Sequence, residues 1–205
     1  MPNWVAKLLR SGVCLIDTIL RKRGNLREFS QDPACILRIQ LRTAPHQVTL
    51  NNTTIKKGET VLALHLWNEH MPQLPQQGAE LEWAINLRRR LSKTFNTLAN
   101  LLRDDRRYAE VKAVFGISVL FSFSDHIGGA RMMQHFGFSV MHYEHPTGRF
   151  GEFWENLFSW WLMWTYNEAS IHSRKFWRLE RTEIWMDAND FIQRFADSLV
   201  KDEKS

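Results

Sequence analysis

The sequence predicts a single α/β domain in which helices flank a mixed sheet. The chain has 205 residues with 44% hydrophobic content, which suffices for one sizeable core. Apolar and polar residues alternate with a period of two over much of 37–67, as they do in half-buried strands. After residue 79, segments with helical apolar spacing alternate with short apolar runs, which is the order of an α/β chain.

Four short strands are predicted in series in the first half of the chain. The first covers 37–41, a hairpin covers 48–55, and the fourth strand covers 60–67. Side chains alternate between the two faces of a strand, so His65 should lie on the face opposite Leu64. Strands that follow one another over short turns predict an antiparallel meander.

Helices dominate the second half. A long helix is predicted over 79–102, because its apolar residues recur every three or four positions. The nearly continuous apolar run over 111–121 is typical of a buried central strand. A helix from Asp125 to His135 and a strand over 138–143 should follow. Strand, helix and strand in this order predict a right-handed crossover unit, so these two strands should be parallel.

The chain closes with an aromatic-rich segment. A helix over 149–170 is apolar on nearly all sides, which is typical of a helix that is buried or docks a partner. Its Trp160 and Trp164 are candidate contacts for a protein partner. A strand over 177–186 is predicted next, and then a helix over 189–200 that Asp187 caps.

Composition divides the chain into three parts. An N-terminal amphipathic helix and linker cover 1–29, the α/β core covers 30–147, and a Trp-rich helical extension that packs on the core covers 148–205. The N-terminal helix, predicted over 3–23, has one broad apolar stripe and basic residues opposite it. Such a helix can lie on an anionic membrane surface or pack on its own domain, and both interpretations stay open.

Whole-chain features narrow the classes of partner and compartment. The formal charge of +5 permits anionic partners, but nucleic acid is disfavoured because the aromatic residues sit on apolar faces. Cys14 and Cys35 lack metal or redox spacing and are interpreted as buried free thiols. No signal peptide and no apolar run of about 18 residues is recognisable. The sequence therefore predicts a cytoplasmic protein, either free or associated with a membrane.

Polar residues cluster at the end of the fourth predicted strand, where they can line a cleft. Trp67, Asn68 and His70 are candidate ligand-binding residues there. Glu69 or His65 would act as a general base if its pKa were shifted towards neutrality. The alternative is that His65 is a satisfied sheet residue and that Asn68 and Glu69 merely turn the chain.

A metal site is not predicted. His142 and His145 have a spacing that suits two zinc ligands, but no cysteine or acidic set completes a coordination shell.

Three segments resemble known families. Residues 128–138, Gly-Gly-Ala-Arg-Met-Met-Gln-His-Phe-Gly-Phe, are similar to the late helix and Gly-Phe turn of the acyl-CoA-dependent N-acetyltransferase (GNAT) superfamily. Within that frame, residues 58–68 and 183–186 resemble the YkoP-like domain family. The combined resemblance spans roughly 30–200 and implies an acetyltransferase-like fold. The YkoP-like resemblance implies no settled activity, and some members accompany polysaccharide deacetylases.

The acetyltransferase resemblance also implies a cofactor site. In that superfamily, a Gly-rich turn presents backbone N–H groups to the CoA pyrophosphate at a helix N-terminus, which implies Gln77, Gly78 and Ala79 as the acyl-CoA site. The turn here keeps one glycine, and Pro75 removes a donor. Met133 occupies the position of the general-acid tyrosine and cannot donate a proton.

Two functions therefore stay open. The first is a divergent, non-catalytic module that binds a protein partner, a membrane surface or a small ligand. The alternative is an acyl-CoA-dependent N-acyltransferase with its cofactor at the Gly78 turn.

Overall fold

The structure is a computed structural model that describes most of the chain. The described residues are 11–12, 18, 24–50, 53–75, 81–119, 128–143, 145, 148–166 and 179–196. Most of the helix predicted over 3–23 lies outside these residues, as does Asp125 with its predicted helix cap.

Five strands form one mixed sheet, which confirms the predicted fold class. In spatial order they are β1 (Leu37–Thr43), β4 (Thr60–Leu66), β5 (Ala113–Ser118), β7 (Thr182–Asp187) and β6 (Ser139–His142). The pair β4–β5 is parallel, and the other neighbouring pairs of this sheet are antiparallel.

The hairpin does not join this sheet, so the predicted meander is wrong. Strands β2 (Val48–Thr49) and β3 (Thr54–Ile55) form a separate two-stranded sheet, and β4 pairs directly with β1 along its full length. The physical reason is the closure at the hairpin base, where the Gly58 amide donates to the Ala44 carbonyl at 3.0 Å. Gly58 has a φ of 91°, which a residue with a side chain rarely adopts.

The strands β5 and β6, predicted to be parallel, do run in the same direction, because each is antiparallel to β7, which lies between them. The parallel neighbours in the sheet are β4 and β5, which the long helix connects. Strand β7 is buried at five of its six positions, and β6 is only half-buried or exposed. The more buried strand thus takes the interior position and β6 takes the edge. A strand from the segment after residue 148 therefore lies within the sheet.

Four helices are described: α1 (Leu81–Asp104), α2 (Gly129–His135), α3 (Gly148–Tyr166) and α4 (Ala188–Ala196). The core lies between one sheet face and α1, α2 and α4, with Phe95 of α1 in its centre. The predicted cap of the last helix is confirmed, because the Asn189 amide donates to the Asp187 carboxylate at 2.8 Å. In the described part of the chain, no helix is long and apolar enough to cross a membrane.

Helix α3 is attached to the sheet through its polar side. The Arg181 guanidinium at the start of β7 donates to Asn156 and Ser159 of α3. Aromatic residues of the same helix, including Phe150 and Trp154, are exposed. Trp160 and Trp164, the predicted partner contacts, are half-buried.

Candidate functional site

The centre of the sheet opens between β4 and β5. Their parallel ladder ends where Leu64 is paired with Gly116. Strand β4 continues to Leu66 and β5 to Ser118, and on their outer sides both stay paired with β1 and β7 up to these ends. The last residues of β4 and β5 therefore flank a gap instead of a ladder.

A small pocket lies at this gap, between the sheet and α1. Its interior wall is apolar and buried, and consists of Leu37, Leu64, Leu91, Phe95 and Ile184. Its remaining lining includes Leu66, Ile117 and Ser118, which are half-buried. The pocket thus leads from the core towards the surface at the ends of β4 and β5.

Gly116 forms part of the pocket wall. A Cβ atom there would lie 3.4 Å from Leu64 Cβ and from Ile184 Cγ1, which is ordinary contact distance. A glycine inside an apolar strand often marks a close approach of backbone or ligand. One methyl group fits at this position, whereas a longer side chain would extend into the pocket.

The face of the sheet that carries the pocket is polar in its outermost row. Ser118 of β5 is paired with Thr182 of β7, and Thr182 is paired with His142 of β6. The next row inwards is apolar and contains Gly116 and Ile184. Because paired residues lie on the same face of a sheet, these polar residues share the face of the pocket, and the Ser118 hydroxyl belongs to the pocket lining itself.

His65 lies on the opposite face, as its position in the strand predicted. Its Nε2 is 3.1 Å from Oε1 of Gln40, and the amide nitrogen of Gln40 donates to the Gly24 carbonyl. The Nε2–H group of His65 therefore donates a hydrogen bond to the Gln40 oxygen. Burial, together with the nearby Arg42 charge, lowers the pKa of His65 from 6.5 to about 4. This neutral, hydrogen-bonded imidazole favours the interpretation of His65 as a satisfied sheet residue.

We expect the free energy of unfolding to fall as the pH drops from about 6.5 towards 4. In this range unfolded His65 binds a proton, whereas folded His65 stays neutral until its pKa of about 4. Urea denaturation at several pH values measures how steeply the free energy of unfolding changes with pH. His65→Gln should flatten this dependence, and His135→Gln, at an exposed histidine, should not. An unchanged slope in His65→Gln would contradict the assignment.

Trp67, a candidate ligand residue, is the centre of a stack. The Arg38 guanidinium carbon lies 4.4 Å from the centre of the indole, and the His70 ring stacks on it at 3.7 Å. His70 Nδ1 is also 2.8 Å from the Cys35 carbonyl. The predicted cluster is thus brought together around a buried tryptophan, and its members contact one another and β1.

Glu69, the other candidate base, forms an ion pair with Arg38 at 3.4 Å. Arg38 is buried and also pairs with Glu28 at 3.0 Å. Asn68 begins the 3₁₀ turn Asn68–His70, and its carbonyl accepts the Met71 amide at 3.3 Å. These contacts direct Glu69 towards Arg38, on the same side as the Trp67 stack.

The predicted cofactor turn falls outside the described residues, which include neither Gln77, Gly78 nor Ala79. The acyl-CoA site therefore stays a prediction. Met133 is described and is fully buried in the core. A buried thioether has no proton to donate, so this position holds a packing residue.

Sequence reasoning missed the pocket and one polar cluster. Gly116, within an otherwise apolar strand, was the signal for the pocket. The cluster surrounds Arg181, whose side chain is 8% exposed and whose Nε lies 3.4 Å from Glu155 Oε2. The Tyr143 hydroxyl is 3.5 Å from Glu155, and burial, together with the Glu155 charge, raises the pKa of Tyr143 to about 12. No sequence pattern indicates that Arg181 turns inwards.

Metal-binding groups are not concentrated anywhere in the described residues. No set of three or more histidine, cysteine, aspartate or glutamate side chains there is arranged to hold a metal ion.

The fold and the pocket define an α/β domain whose mixed sheet opens at its parallel pair onto a small apolar cavity. The chain belongs to the YkoP domain family, whose family model matches residues 6–195. This match confirms the resemblance of residues 58–68 and 183–186 to that family. Comparison with curated proteins and with solved structures finds no match to the chain.

Proposed function

We propose that this domain is a non-catalytic module that binds a small ligand with an apolar chain and a polar end in the pocket between β4 and β5. The opening of the sheet beyond Leu64 and Gly116 supports this most directly. The apolar wall suits a hydrocarbon chain, and Ser118 near the outer end suits a polar group. The pocket has little enclosed space, so the chain is short.

The candidate catalytic groups favour binding over acyl transfer. His65 lies on the sheet face opposite the pocket and is neutral near pH 7 because of its low pKa. Glu69 is engaged by Arg38, which stabilises its charged form in a structural pair. Met133, at the position that the resemblance assigns to a proton donor, is part of the core.

A second candidate is an acyl-CoA-dependent N-acyltransferase. One observation favours it: the sheet opens beside β4, and α1, whose N-terminus the resemblance assigns to the CoA pyrophosphate, follows this strand. The two candidates differ in the part of the ligand that the protein recognises. The binding module recognises the chain, and the transferase also recognises CoA itself.

Isothermal titration calorimetry with octanoate, octanoyl-CoA and unacylated CoA distinguishes the candidates. The binding module should bind octanoate and octanoyl-CoA with similar affinity and should give no heat with CoA. Binding of unacylated CoA, together with transfer of the octanoyl group from octanoyl-CoA to an amine, would favour the transferase. Absence of binding to all three would overturn both candidates.

We expect Gly116→Leu to weaken octanoate binding at least about tenfold, because the leucine side chain would occupy the pocket (a loss of about 1.4 kcal/mol). Gly116→Ala is the matched control, since its methyl group is accommodated at contact distance. Calorimetry measures the affinity, and thermal denaturation confirms that each variant is folded. Leu66→Phe, at a half-buried lining position, tests the same point if Gly116→Leu does not fold. Wild-type affinity in a folded blocking variant would contradict the site.

A further inference from the structure

Helix α3 has an unusual orientation for a surface helix. Its Asn156 and Ser159 point towards the sheet and bind the buried Arg181, so the hydrogen-bonding side faces the domain. A surface helix ordinarily turns its apolar side inwards. The exposed aromatic residues of α3, which we call the aromatic face, are Phe150, Phe153, Trp154 and Trp161.

The aromatic face is a continuous surface. Phe150 and Trp154 are 73% and 53% exposed, and both lie on one side of the helix with Trp161 because of their spacing. Trp154 makes edge-to-face contacts with Phe150, at 6.4 Å between ring centres, and with Phe153, at 5.4 Å. The four side chains expose roughly 400 Å² of surface, the size of a patch that marks an interaction site.

We propose that the aromatic face is a homodimer interface in which α3 of one copy packs against α3 of a second copy. A two-fold axis pairs a patch with itself, so the patch must be self-complementary. The aromatic face has no charged member, and its self-pairing therefore brings no like charges together.

The area fits a weak dimer. Two copies bury roughly 800 Å² from these four side chains, which is below the roughly 1,000 Å² that a stable specific interface needs, so the dimer is a weak one. Interfaces of this size are at the weak end, so the dimer should dissociate on dilution through the micromolar range.

The charge of α3 favours a second copy over a lipid surface. The helix contains Arg149, Glu152 and Glu155, one positive against two negative residues, a net charge of −1. Helices that lie on anionic bilayers are rich in lysine and arginine on their polar side. An acidic polar side would instead weaken binding to such a surface. The proposal does not depend on the pocket or its ligand.

Sedimentation velocity and light scattering of the full chain, between about 1 and 100 μM, measure the association. The wild type should shift from monomer to dimer over this range, and Trp154→Glu should stay monomeric. Ile85→Glu is the matched control, because Ile85 is an equally exposed apolar residue on a different helix, α1. It should dimerise like the wild type. An equimolar mixture of Trp154→Glu and Trp154→Lys should recover a dimer.

Three results would overturn the proposal. The first is a wild-type monomer at every concentration. The second is a Trp154→Glu variant that has the same mass in solution as the wild type but melts at a lower temperature. The aromatic face would then be covered by other residues of the same chain. The third is a monomeric wild type that sediments with vesicles of anionic phosphatidylserine while Trp154→Glu does not, which would assign the face to a lipid surface.

Discussion

Phe95→Ala should lower the free energy of unfolding by about 3–5 kcal/mol. Phe95 is fully buried between the sheet and the surrounding helices. Its ring lies within 5.1 to 5.7 Å, centre to centre, of four other aromatic rings: Phe136, Phe138, Phe191 and Phe195. Truncation would leave a cavity that these rigid rings cannot fill by relaxing, so both transfer and cavity costs apply. Urea denaturation followed by circular dichroism measures the change.

The control for this prediction is Phe150→Ala. Phe150 is the same residue type but is 73% exposed, so at about 1 μM protein, where the proposed dimer is dissociated, its truncation should change the free energy of unfolding by less than about 0.5 kcal/mol. A difference between the two variants of less than about 1 kcal/mol would show that Phe95 is not the centre of the core.

Arg181→Met should lower the free energy of unfolding by about 2–3 kcal/mol. The substitution keeps an apolar stem but removes the donors to Asn156 and Ser159 and the partner of Glu155. Breaking a fully buried pair would cost more, but Glu155 is 38% exposed and water offsets part of the loss. Urea denaturation gives the total loss in free energy of unfolding. Tryptophan fluorescence should report that α3 loosens at a lower urea concentration than that of the main transition.

Arg107→Met is the matched control. Arg107 pairs with Asp105 at 2.6 Å, closer than Arg181 to Glu155, but its side chain is 66% exposed. Its loss should therefore destabilise the protein much less than the loss of Arg181 does. If Arg107→Met destabilised the protein as much as Arg181→Met, burial would not be the cause, and the attachment of α3 through Arg181 would be refuted.

The features predictable from sequence were those that depend on nearby residues. The alternation that places His65 opposite Leu64 is a property of one strand, and the Asp187 cap acts over two residues. The separate hairpin of β2 and β3 depends on a contact between Ala44 and Gly58. The position of β7 depends on competition among distant strands. Local patterns carry no information about such competition, so the meander was predicted wrongly and the insertion of β7 between the parallel strands β5 and β6 was not predicted.

The candidate site divides in the same way. The polar cluster around Trp67 was visible in the sequence because its members are consecutive. Its partners are Arg38 in β1 and Cys35 just before that strand, about 30 positions away in the chain. They determine where the cluster points. Gly116 was visible as well, but the pocket exists only because the β4–β5 ladder ends there. The length of a ladder between distant strands is not encoded in either strand alone.

The interior position of β7 determines when the domain can be completed. Among the five sheet strands β7 is the last to leave the ribosome, yet it must insert between β5 and β6. Its pairing with β5 joins Ser118 to Thr182, 64 positions apart along the chain, and such long-range closure is slow. Until Asp187 has emerged, β5 presents an open edge and β6 has no neighbour. Before β7 emerges, the sheet can therefore contain only β1, β4 and β5, and the core closes when β7 joins them to β6.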